Sequence, residues 1–414
     1  MNINFKKFND VSYLLILSFF VGLLTIYYYG DTSIENEWST LLDNLYSHGT
    51  LAFRSFDGNL IPSVYMPPLY VYFLYLIKIF NPDFFIYTYS VLFIQIILST
   101  LSIYFFFKLN NFFFSKNISL LSSFILSIFP LKVYAATQIS SVTLQFFLLI
   151  LYLYLFFCLY KSKNNQKIIV LYFSITSGFL ILLRGEFYLI FILSILYLLF
   201  FKKINLKKSF IIFLISFIVV SPYILRNYYT FEKIALTKSL GYNLWKGNNP
   251  FASTEGAETA EAFSHNSINQ KIEKIPKNKL YDFHYDKMFF KQGVNYILSD
   301  PLFFIKNYAK KAFSFFYFNI DSDYPGYYHP LFILPIILTS LFSSIGILIS
   351  FKKIDFDKGF LLFYLFFNIL IFSVFFILPR YKMVILPIQL IFMNYFFLEF
   401  FKKISFLNKL FNIK

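Results

Sequence analysis

The sequence has few charged residues and a single cysteine, and both shortages restrict the class of protein. Only 14% of its 414 residues are Asp, Glu, Lys or Arg, against roughly 25% in a soluble domain, whereas 58% are hydrophobic. This balance is typical of a membrane protein. The one cysteine, Cys158, lies inside an apolar run, which excludes an intramolecular disulfide and a cysteine-rich metal site.

The first apolar stretch also lacks the small-residue cleavage site that follows a secretory signal peptide, and it is too long for a signal-peptide core. We therefore expect it to remain as the first membrane span. A spanning helix needs about 20 mostly apolar residues. By this criterion the sequence predicts an all-α polytopic membrane protein with about ten spans, near residues 11–29, 84–107, 117–134, 138–160, 168–184, 187–201, 210–225, 331–350, 360–379 and 383–400.

The net charge of +16 fits a topology signal better than a nucleic-acid site. Every short loop that falls inside, when the N-terminus is placed in the cytoplasm, is rich in lysine, as the positive-inside rule requires. We therefore expect both termini to be cytoplasmic. The spans carry almost no charge at mid-helix, and no internal repeat is visible, which disfavours a transporter or lipid flippase.

Two long segments fall outside in this topology, at about residues 30–83 and 227–329. They hold most of the acidic residues, all four histidines and both tryptophans, so chemistry is expected on the outer face. The predicted organisation is an N-terminal transmembrane module (1–226) with a catalytic first outer loop, an outer loop with interfacial helices (227–329), and C-terminal transmembrane helices with a basic cytoplasmic tail (330–414).

The first outer segment carries three carboxylates within seven residues, Asp31, Glu35 and Glu37. A helix capped at Asp31 or Ser33 is predicted to run to about Ser47. The acids either stabilise the positive end of that helix or supply a general base that activates an acceptor. The following apolar run from Pro68 to Phe80 is too short to span and suits an interfacial or re-entrant helix.

The second outer segment is predicted to contain helices, with Lys306, Lys310 and Lys311 near one face of the helix that follows Pro301. This pattern indicates either a membrane-surface helix or a cationic rim for an anionic substrate. Several histidines and aspartates have spacings that fit no recognised metal site, so neither a metal nor another cofactor is expected. These residues are His284, Asp286, Asp321, Asp323 and His329.

Five weak motifs occur in order along nearly the whole chain. They are "NLYSHG" (44–49), "PPLY" (67–70), "GFLILLRGE" (178–186), the run from "SPYILRN" (221–227) to "GYNLWKGNNP" (241–250), and "PRYKMVILPI" (379–388). Together with the topology, this order resembles the GT-C glycosyltransferases of the protein O-mannosyltransferase and aminoarabinose transferase type. Two departures disfavour aminoarabinose as the sugar: Met66 replaces a basic residue before the paired prolines, and "QISSVTLQFF" (138–147) lacks a glutamate.

The resemblance implies a membrane enzyme that moves a sugar from a polyprenyl-phosphate donor to a lipid, glycan or protein acceptor on the periplasmic side of a bacterial inner membrane. It implies a first-loop carboxylate as base, with Glu35 nearest the family position and Asp31 and Glu37 as competitors. A single base and a phosphate leaving group predict inversion. No nucleic acid is expected as a partner.

A lipid-phosphate donor requires cations near the membrane surface, and arginine suits phosphate because its planar guanidinium donates paired hydrogen bonds. The candidates at outer span ends are Arg184, Arg226, Arg380 and Lys382. The motifs also suggest residues for the wall of the substrate pocket: Asn227, Tyr242, Asn243, Trp245, Asn248, Asn249, Pro67, Pro68 and Tyr70. The alternative functions are an O-antigen polymerase or ligase-like enzyme and a lipid or polysaccharide transporter.

Overall fold

The computed structural model describes residues 10–34, 36–162 and 164–404. Within them the chain forms α1 (Asp10–Tyr29), β1 (Asp31–Ile34), α2 (Asn36–His48), β2 (Ala52–Phe56), β3 (Asn59–Pro62), α3 (Pro68–Phe80), α4 (Phe84–Asn110), α5 (Lys116–Ser127), α6 (Pro130–Ala136), β4 (Gln138–Ile139), α7 (Val142–Lys161), α8 (Gln166–Leu183), α9 (Phe187–Phe200), α10 (Leu206–Phe231), α11 (Leu240–Asn248), α12 (Ala260–Ser264), α13 (Ile268–Glu273), α14 (Tyr281–Ser299), α15 (Pro301–Phe316), α16 (Pro330–Ser350), α17 (Phe356–Ser373) and α18 (Leu386–Lys402). Short 3₁₀ turns occupy His265–Ser267 and Pro379–Val384.

Seven helices of the described chain are long and apolar enough to cross a membrane, and the bent pair α5–α6 makes an eighth if it counts as one span. The prediction of a multi-pass membrane protein is therefore confirmed. The other two of the about ten predicted spans correspond to shorter apolar helices, α9 with 14 residues and α18 with 17, so the exact number of spans stays a prediction.

Proline and polar caps set several helix boundaries. The predicted span at 117–134 is broken between α5 and α6, which meet at a bend of 54°, because Pro130 starts a new helix and cannot continue the old one. Asp83 accepts a hydrogen bond from Ile86 N at the start of α4 (3.0 Å), and Asn205 accepts one from Lys208 N at the start of α10 (2.9 Å). These side chains satisfy backbone donors that a helix start leaves unpaired.

The described chain is not purely α-helical, because four short strands form two small sheets. β1 pairs in parallel with β4, and β2 pairs with β3 as an antiparallel hairpin. The predicted helix from Asp31 is therefore wrong at its start: residues 31–34 form β1, and α2 begins at Asn36. Its predicted end is confirmed, since α2 stops at His48 and Gly49 follows with a φ of +65°.

The helices pack around one large apolar core in which α7 is the most buried of the long helices and α1 the most exposed. Small residues allow close approach between helices. A Cβ at Gly346 of α16 would meet the Phe392 carbonyl of α18 at 1.8 Å, so the two backbones touch there. A smaller aromatic cluster, which includes Tyr65, Trp245 and Phe289, forms the interior of the 227–329 segment.

The two long interhelical segments lie against each other at one end of the bundle. Asp282 of α14 accepts hydrogen bonds from Arg54 Nη1 (2.6 Å), Ser63 Oγ (2.7 Å) and Val64 N (2.9 Å). Lys238 N also donates to the Val64 carbonyl at 2.8 Å. The β2–β3 hairpin is thereby held to α14, and the stretch from Tyr65 to Pro67 is positioned at the top of the spanning helices.

Candidate active site

A cavity of about 260 Å³ opens at this end of the bundle. Its charged lining residues are Glu37, Arg184, Glu186, Lys246, Glu258 and Arg380. They come from α2, from the ends of α8 and α11, and from the turns before α9, α12 and α18, so separate parts of the sequence converge there. Apolar side chains from the ends of α8 and α17 complete the lining, including Leu183, Ile371 and Phe372.

Arg184 and Arg380 are brought together around Tyr381. The Arg184 guanidinium carbon lies 5.5 Å from the centre of the Tyr381 ring. Burial raises the pKa of the Tyr381 phenol, and the charges of Arg184 and Arg380 oppose that rise, which places both guanidinium groups within electrostatic range of one side chain. Two arginines beside a partly buried tyrosine make a cationic pocket of the kind that binds phosphate.

Arg184 is oriented by two contacts. Its Nε donates to Gln145 Oε1 of α7 at 2.9 Å, and its Nη1 lies 3.9 Å from Glu186 Oε1. The glutamate is partly exposed, so that ion pair is weak, whereas the hydrogen bond to Gln145 fixes the plane of the guanidinium. Gln145 stands in "QISSVTLQFF", where the resembled family was expected to carry a glutamate.

The carboxylates of the first interhelical segment differ in their positions. Glu37 lines the cavity. Asp31 is exposed in β1, where its Oδ1 accepts from Ser33 N (2.8 Å) and Ser33 Oγ (2.6 Å) in a local turn. Glu35, the predicted first choice for the base, lies outside the described residues. Of the two described candidates, Glu37 is therefore the one that faces the site.

A family model described as "Dolichyl-phosphate-mannose-protein mannosyltransferase" matches residues 66–225, the part of the chain that supplies Arg184 and Gln145. No curated protein matches the chain. Among solved structures, an oligosaccharyltransferase of Archaeoglobus fulgidus tethered to an acceptor peptide has a TM-score of 0.58 at 15% identity, covering 98% of this chain and 51% of that one. The chain therefore resembles a mannosyltransferase family over residues 66–225 and shares the fold of the oligosaccharyltransferase.

A second structure of the Archaeoglobus fulgidus oligosaccharyltransferase, in complex with an inhibitory peptide and a dolichol-phosphate, gives the same TM-score of 0.58 at 15% identity and covers 99% of this chain and 52% of that one. At this identity the likeness establishes the fold. The chain spans about half the length of these oligosaccharyltransferase chains.

The cavity gathers only some of the predicted site residues. Glu37, Arg184, Arg380, Pro67, Tyr242 and Asn243 line it. The others are placed elsewhere and have structural contacts. They are Asp31, Arg226, Lys382, Pro68, Tyr70, Asn227, Trp245, Asn248 and Asn249.

Arg226 and Lys382 do not line the cavity, contrary to their predicted role at the donor phosphate. Arg226 donates to the backbone carbonyls of Ser63 (3.0 Å) and Leu51 (3.2 Å), which ties α10 to the β2–β3 hairpin. Lys382 is buried and donates to the carbonyls of Phe316 and Tyr317 and to Ser340 Oγ (3.0 Å). Both cations therefore satisfy backbone oxygens in the interior.

The asparagines predicted for the pocket wall also serve the backbone, with the exception of Asn243. Asn248 Nδ2 donates to the carbonyls of Leu244 and Val374, both at 2.8 Å, and Asn227 Nδ2 donates to the Ala235 carbonyl at 2.7 Å. Asn249 Nδ2 donates to the Ala257 carbonyl at 3.0 Å. Tyr70 and Pro68 are buried in α3, where Tyr70 Oη donates to Gln95 Oε1 at 3.1 Å.

Most of the motif "GYNLWKGNNP" lies in helix α11, which ends at Asn248. Its glycines allow close packing: a Cβ at Gly241 would meet the Asp286 carbonyl at 2.0 Å, and one at Gly247 would meet the Phe375 carbonyl at 1.9 Å. Trp245 is fully buried against Phe289, with ring centres 4.8 Å apart, and it does not line the cavity. The helix presents Tyr242, Asn243 and Lys246 to the cavity.

Lys311, predicted to lie either on a membrane-surface helix or on a cationic rim, is fully buried. Its Nζ donates to the Phe375 carbonyl (2.6 Å), the Gly247 carbonyl (3.0 Å) and Asn248 Oδ1 (3.3 Å). These contacts join α15 to α11 and to the segment after α17. Burial lowers the pKa of Lys311 to about 7. The residue therefore fixes two walls of the cavity relative to each other.

Sequence reasoning omitted five charged or phenolic lining residues, Tyr65, Glu186, Lys246, Glu258 and Tyr381. Lys246 and Tyr381 stand inside motifs that had been recognised, next to Trp245 and Arg380, which were chosen. Glu258 lies in "STEGAETAEAF", a polar stretch with no pattern that distinguishes one glutamate from its neighbours. Within the described residues no group of three or more His, Cys, Asp or Glu side chains comes together.

Proposed function

We propose that this chain transfers a sugar from a polyprenyl-phosphate donor to an acceptor at the outer face of the membrane, with inversion at the anomeric carbon. The observation that carries the proposal is the cavity itself, in which Glu37 shares one lining with the arginine pair around Tyr381. A carboxylate and a cationic phosphate pocket are the two groups that such a transfer needs.

In the proposed reaction Arg184 and Arg380 bind the donor phosphate. The acceptor hydroxyl oxygen attacks the anomeric carbon, the bond from that carbon to the phosphate oxygen breaks, and polyprenyl phosphate leaves with the bonding electrons. The hydroxyl proton passes to the carboxylate. The two guanidinium groups stabilise the charge that develops on the leaving phosphate, which is where fixed cations have their largest catalytic effect.

The base is proposed to be a carboxylate of residues 35–37. Glu37 is supported by its place in the cavity, and Glu35 by the alignment of motifs. Asp31 is the weaker candidate because its carboxylate is held by Ser33 in an exposed turn. The lipid part of the donor is proposed to enter along the apolar lining formed by the ends of α8 and α17. The name of the matching family supports this donor class, as does the dolichol-phosphate present in one solved relative.

The test is transfer of labelled sugar from polyprenyl-phosphate donors in membranes that contain the wild type, Glu35→Gln, Glu37→Gln or Asp31→Asn. We expect transfer by the wild type and by Asp31→Asn, and loss of at least about a hundredfold in one of the two glutamine variants. Full transfer by both glutamine variants would overturn the base assignment. A product with the donor's anomeric configuration would overturn inversion.

The orientation of the cavity is testable separately. Cys158 is buried, so a single cysteine introduced at the exposed Lys279 position has little background. We expect Lys279→Cys to react with a membrane-impermeant maleimide in intact cells. Labelling only after the membrane is broken would place this end of the bundle, and the reaction, in the cytoplasm.

A further inference from the structure

Lys246 and Glu258 form an ion pair in the cavity lining that the reaction scheme above does not use. Lys246 Nζ lies 2.9 Å from Glu258 Oε1, and their side chains are 19% and 40% exposed. Both residues belong to the lining of the cavity. The pair is therefore accessible to a ligand there, although the lysine stem is mostly covered.

The backbone around this pair holds it in one position. Gly256 has a φ of +85°, and a Cβ there would lie 2.8 Å from Lys246 Cγ, so the loop after α11 packs directly on the lysine stem. Ala257 N donates to the Lys246 carbonyl at 3.0 Å, and Asn249 Nδ2 donates to the Ala257 carbonyl at 3.0 Å. Glu258 is the next residue after Ala257, and these hydrogen bonds hold it beside α11.

Aromatic rings flank the two charges. The Lys246 ammonium lies 4.7 Å from the centre of the Phe376 ring. Burial raises the pKa of the Tyr242 phenol, and the adjacent Glu258 carboxylate raises it further, so Tyr242 stays a neutral hydroxyl beside that carboxylate. An apolar face beside a fixed donor and a fixed acceptor is the arrangement that suits a pyranose ring, which has C–H faces and hydroxyl edges.

The pair also lies within reach of the proposed chemistry. The Tyr65 phenol is buried, and the carboxylates of Glu37 and Glu258 both raise its pKa, so one side chain is within electrostatic range of both. The donor phosphate is assigned to Arg184 and Arg380. The Lys246–Glu258 pair can therefore bind the other hydroxyl groups of a sugar, apart from the phosphate and the attacking hydroxyl.

We propose that Lys246 and Glu258 bind neighbouring hydroxyl groups of a sugar in the cavity and select an uncharged sugar. This inference rests on the proposed function. The carboxylate accepts a hydrogen bond from one hydroxyl, and the ammonium donates to the oxygen of the next. A sugar carboxylate is repelled by Glu258 and competes with it for Lys246, and a sugar ammonium is repelled by Lys246 and competes with it for Glu258. In either case the repelling member loses its partner, and such mismatches discriminate between substrates.

The alternative is that the pair only fastens the loop to α11. Kinetics separates the two roles, because a fastening role changes stability and kcat, whereas a binding role changes the KM of the substrate that the pair touches. The variants are Lys246→Met and Glu258→Gln. The matched control is the pair Lys279–Glu232, which has a similar separation of 2.8 Å but is exposed and lies away from the cavity. Its variants are Lys279→Met and Glu232→Gln.

For a neutral donor sugar we expect each cavity variant to raise the KM of one substrate about tenfold, the effect of one hydrogen bond to a charged group, with kcat within about threefold. The control variants should leave both constants unchanged. The substrate whose KM rises, donor or acceptor, shows which sugar the pair holds. Unchanged KM values for both substrates, or faster transfer from a uronosyl donor than from a neutral one by the wild type, would overturn the proposal.

A binding measurement tests the subsite when no transfer is seen. Titration of the purified protein with methyl hexosides and methyl uronosides at millimolar concentration should show preference for the neutral compounds in the wild type and its loss in Glu258→Gln, which leaves Lys246 to pair with a uronoside carboxylate. If this preference is found but no polyprenyl-phosphate sugar is transferred, the proposed function fails and the subsite stands. If neither class of glycoside binds, or both bind equally, the subsite is overturned.

Discussion

Gln145 of α7 holds Arg184 of the turn after α8 by a 2.9 Å hydrogen bond between Gln145 Oε1 and Arg184 Nε. The contact crosses between two spanning helices at the edge of the cavity. Arg184 keeps its Nη atoms on the other side of the guanidinium, where the proposed donor phosphate binds. Gln145 is thus a positioning residue that acts through the arginine.

Replacement of Gln145 by Leu should weaken donor binding without removing it. A hydrogen bond to a charged group contributes about 1.5–3 kcal/mol, so the KM for the donor should rise about tenfold or more. Arg184→Met should reduce kcat/KM much further. Steady-state transfer at varied donor concentration checks both values. A donor KM for Gln145→Leu equal to that of the wild type would show that the hydrogen bond does not position Arg184.

Lys382 and Arg380 are two residues apart but should behave differently. Arg380 lines the cavity, whereas Lys382 donates to interior carbonyl oxygens. We expect Arg380→Met to lower kcat/KM by about a hundredfold or more, as loss of a transition-state donor does. Lys382→Met should lower the melting temperature and leave the donor KM within about twofold. If Lys382→Met stays folded and loses as much kcat/KM as Arg380→Met, the phosphate site includes the lysine after all.

Asp282 should be essential for stability because it holds the β2–β3 hairpin. Its side chain is 5% exposed and accepts from Arg54, Ser63 and Val64. Removal of one partner of a buried pair costs about 3–5 kcal/mol, so Asp282→Ala should strongly lower the melting temperature in detergent. Glu232→Gln, which breaks an exposed pair with Lys279, should leave the melting temperature nearly unchanged, because solvent screens such pairs. Equal effects of the two variants would contradict the structural role of Asp282.

Lys311 should make stability depend on pH. Burial lowers its pKa to about 7 from 10.5. Between these values the unfolded chain binds a proton that the folded chain does not, so the free energy of unfolding increases as the pH rises from about 7 towards 10.5. Below about 7 both states are protonated and the lysine adds no further pH dependence.

The measurement is the melting temperature of the wild type and of Lys311→Met between pH 6 and 10. We expect the difference between the two curves to change with pH only above about 7, with the wild type gaining stability relative to the variant. A constant difference across the whole range would show that Lys311 is charged in the folded state. Lys306→Met, at an exposed position of the same helix, is the control.

The apolar runs in the sequence were sufficient to predict the class of the protein. Long stretches without charge have one stable placement, inside a bilayer, and the bounds of α1, α4 and α16 lie within about three residues of the predicted runs. The ends of the weaker runs were not predictable. Pro130 divides one apolar run into two helices. Residues 138–139, predicted as the start of a span, instead form β4 and pair with β1, and a backbone pairing with a distant strand gives no signal in the local sequence pattern.

The sequence also predicted which residue types the site needs, since a lipid phosphate demands arginine and an acceptor demands a base. It did not determine which of several arginines and asparagines serve chemistry. Arg226, Lys382, Asn248 and Asn249 satisfy buried carbonyl oxygens, and the same donors suit a phosphate or a sugar equally well. Only the path of the backbone decides which oxygens are left without a partner and therefore which side chains are used to satisfy them.

The motif "GYNLWKGNNP" shows the division most clearly. The glycines, asparagines and tryptophan of this motif are unusual in an apolar chain, but the local sequence fits a turn as well as a helix. The helix forms because Gly241 and Gly247 let α11 lie directly against the backbones at Asp286 and Phe375. That packing turns Trp245 inward and Lys246 toward the cavity. Composition determined the membrane class, and contacts between residues far apart in the chain decided which side chains face the substrate.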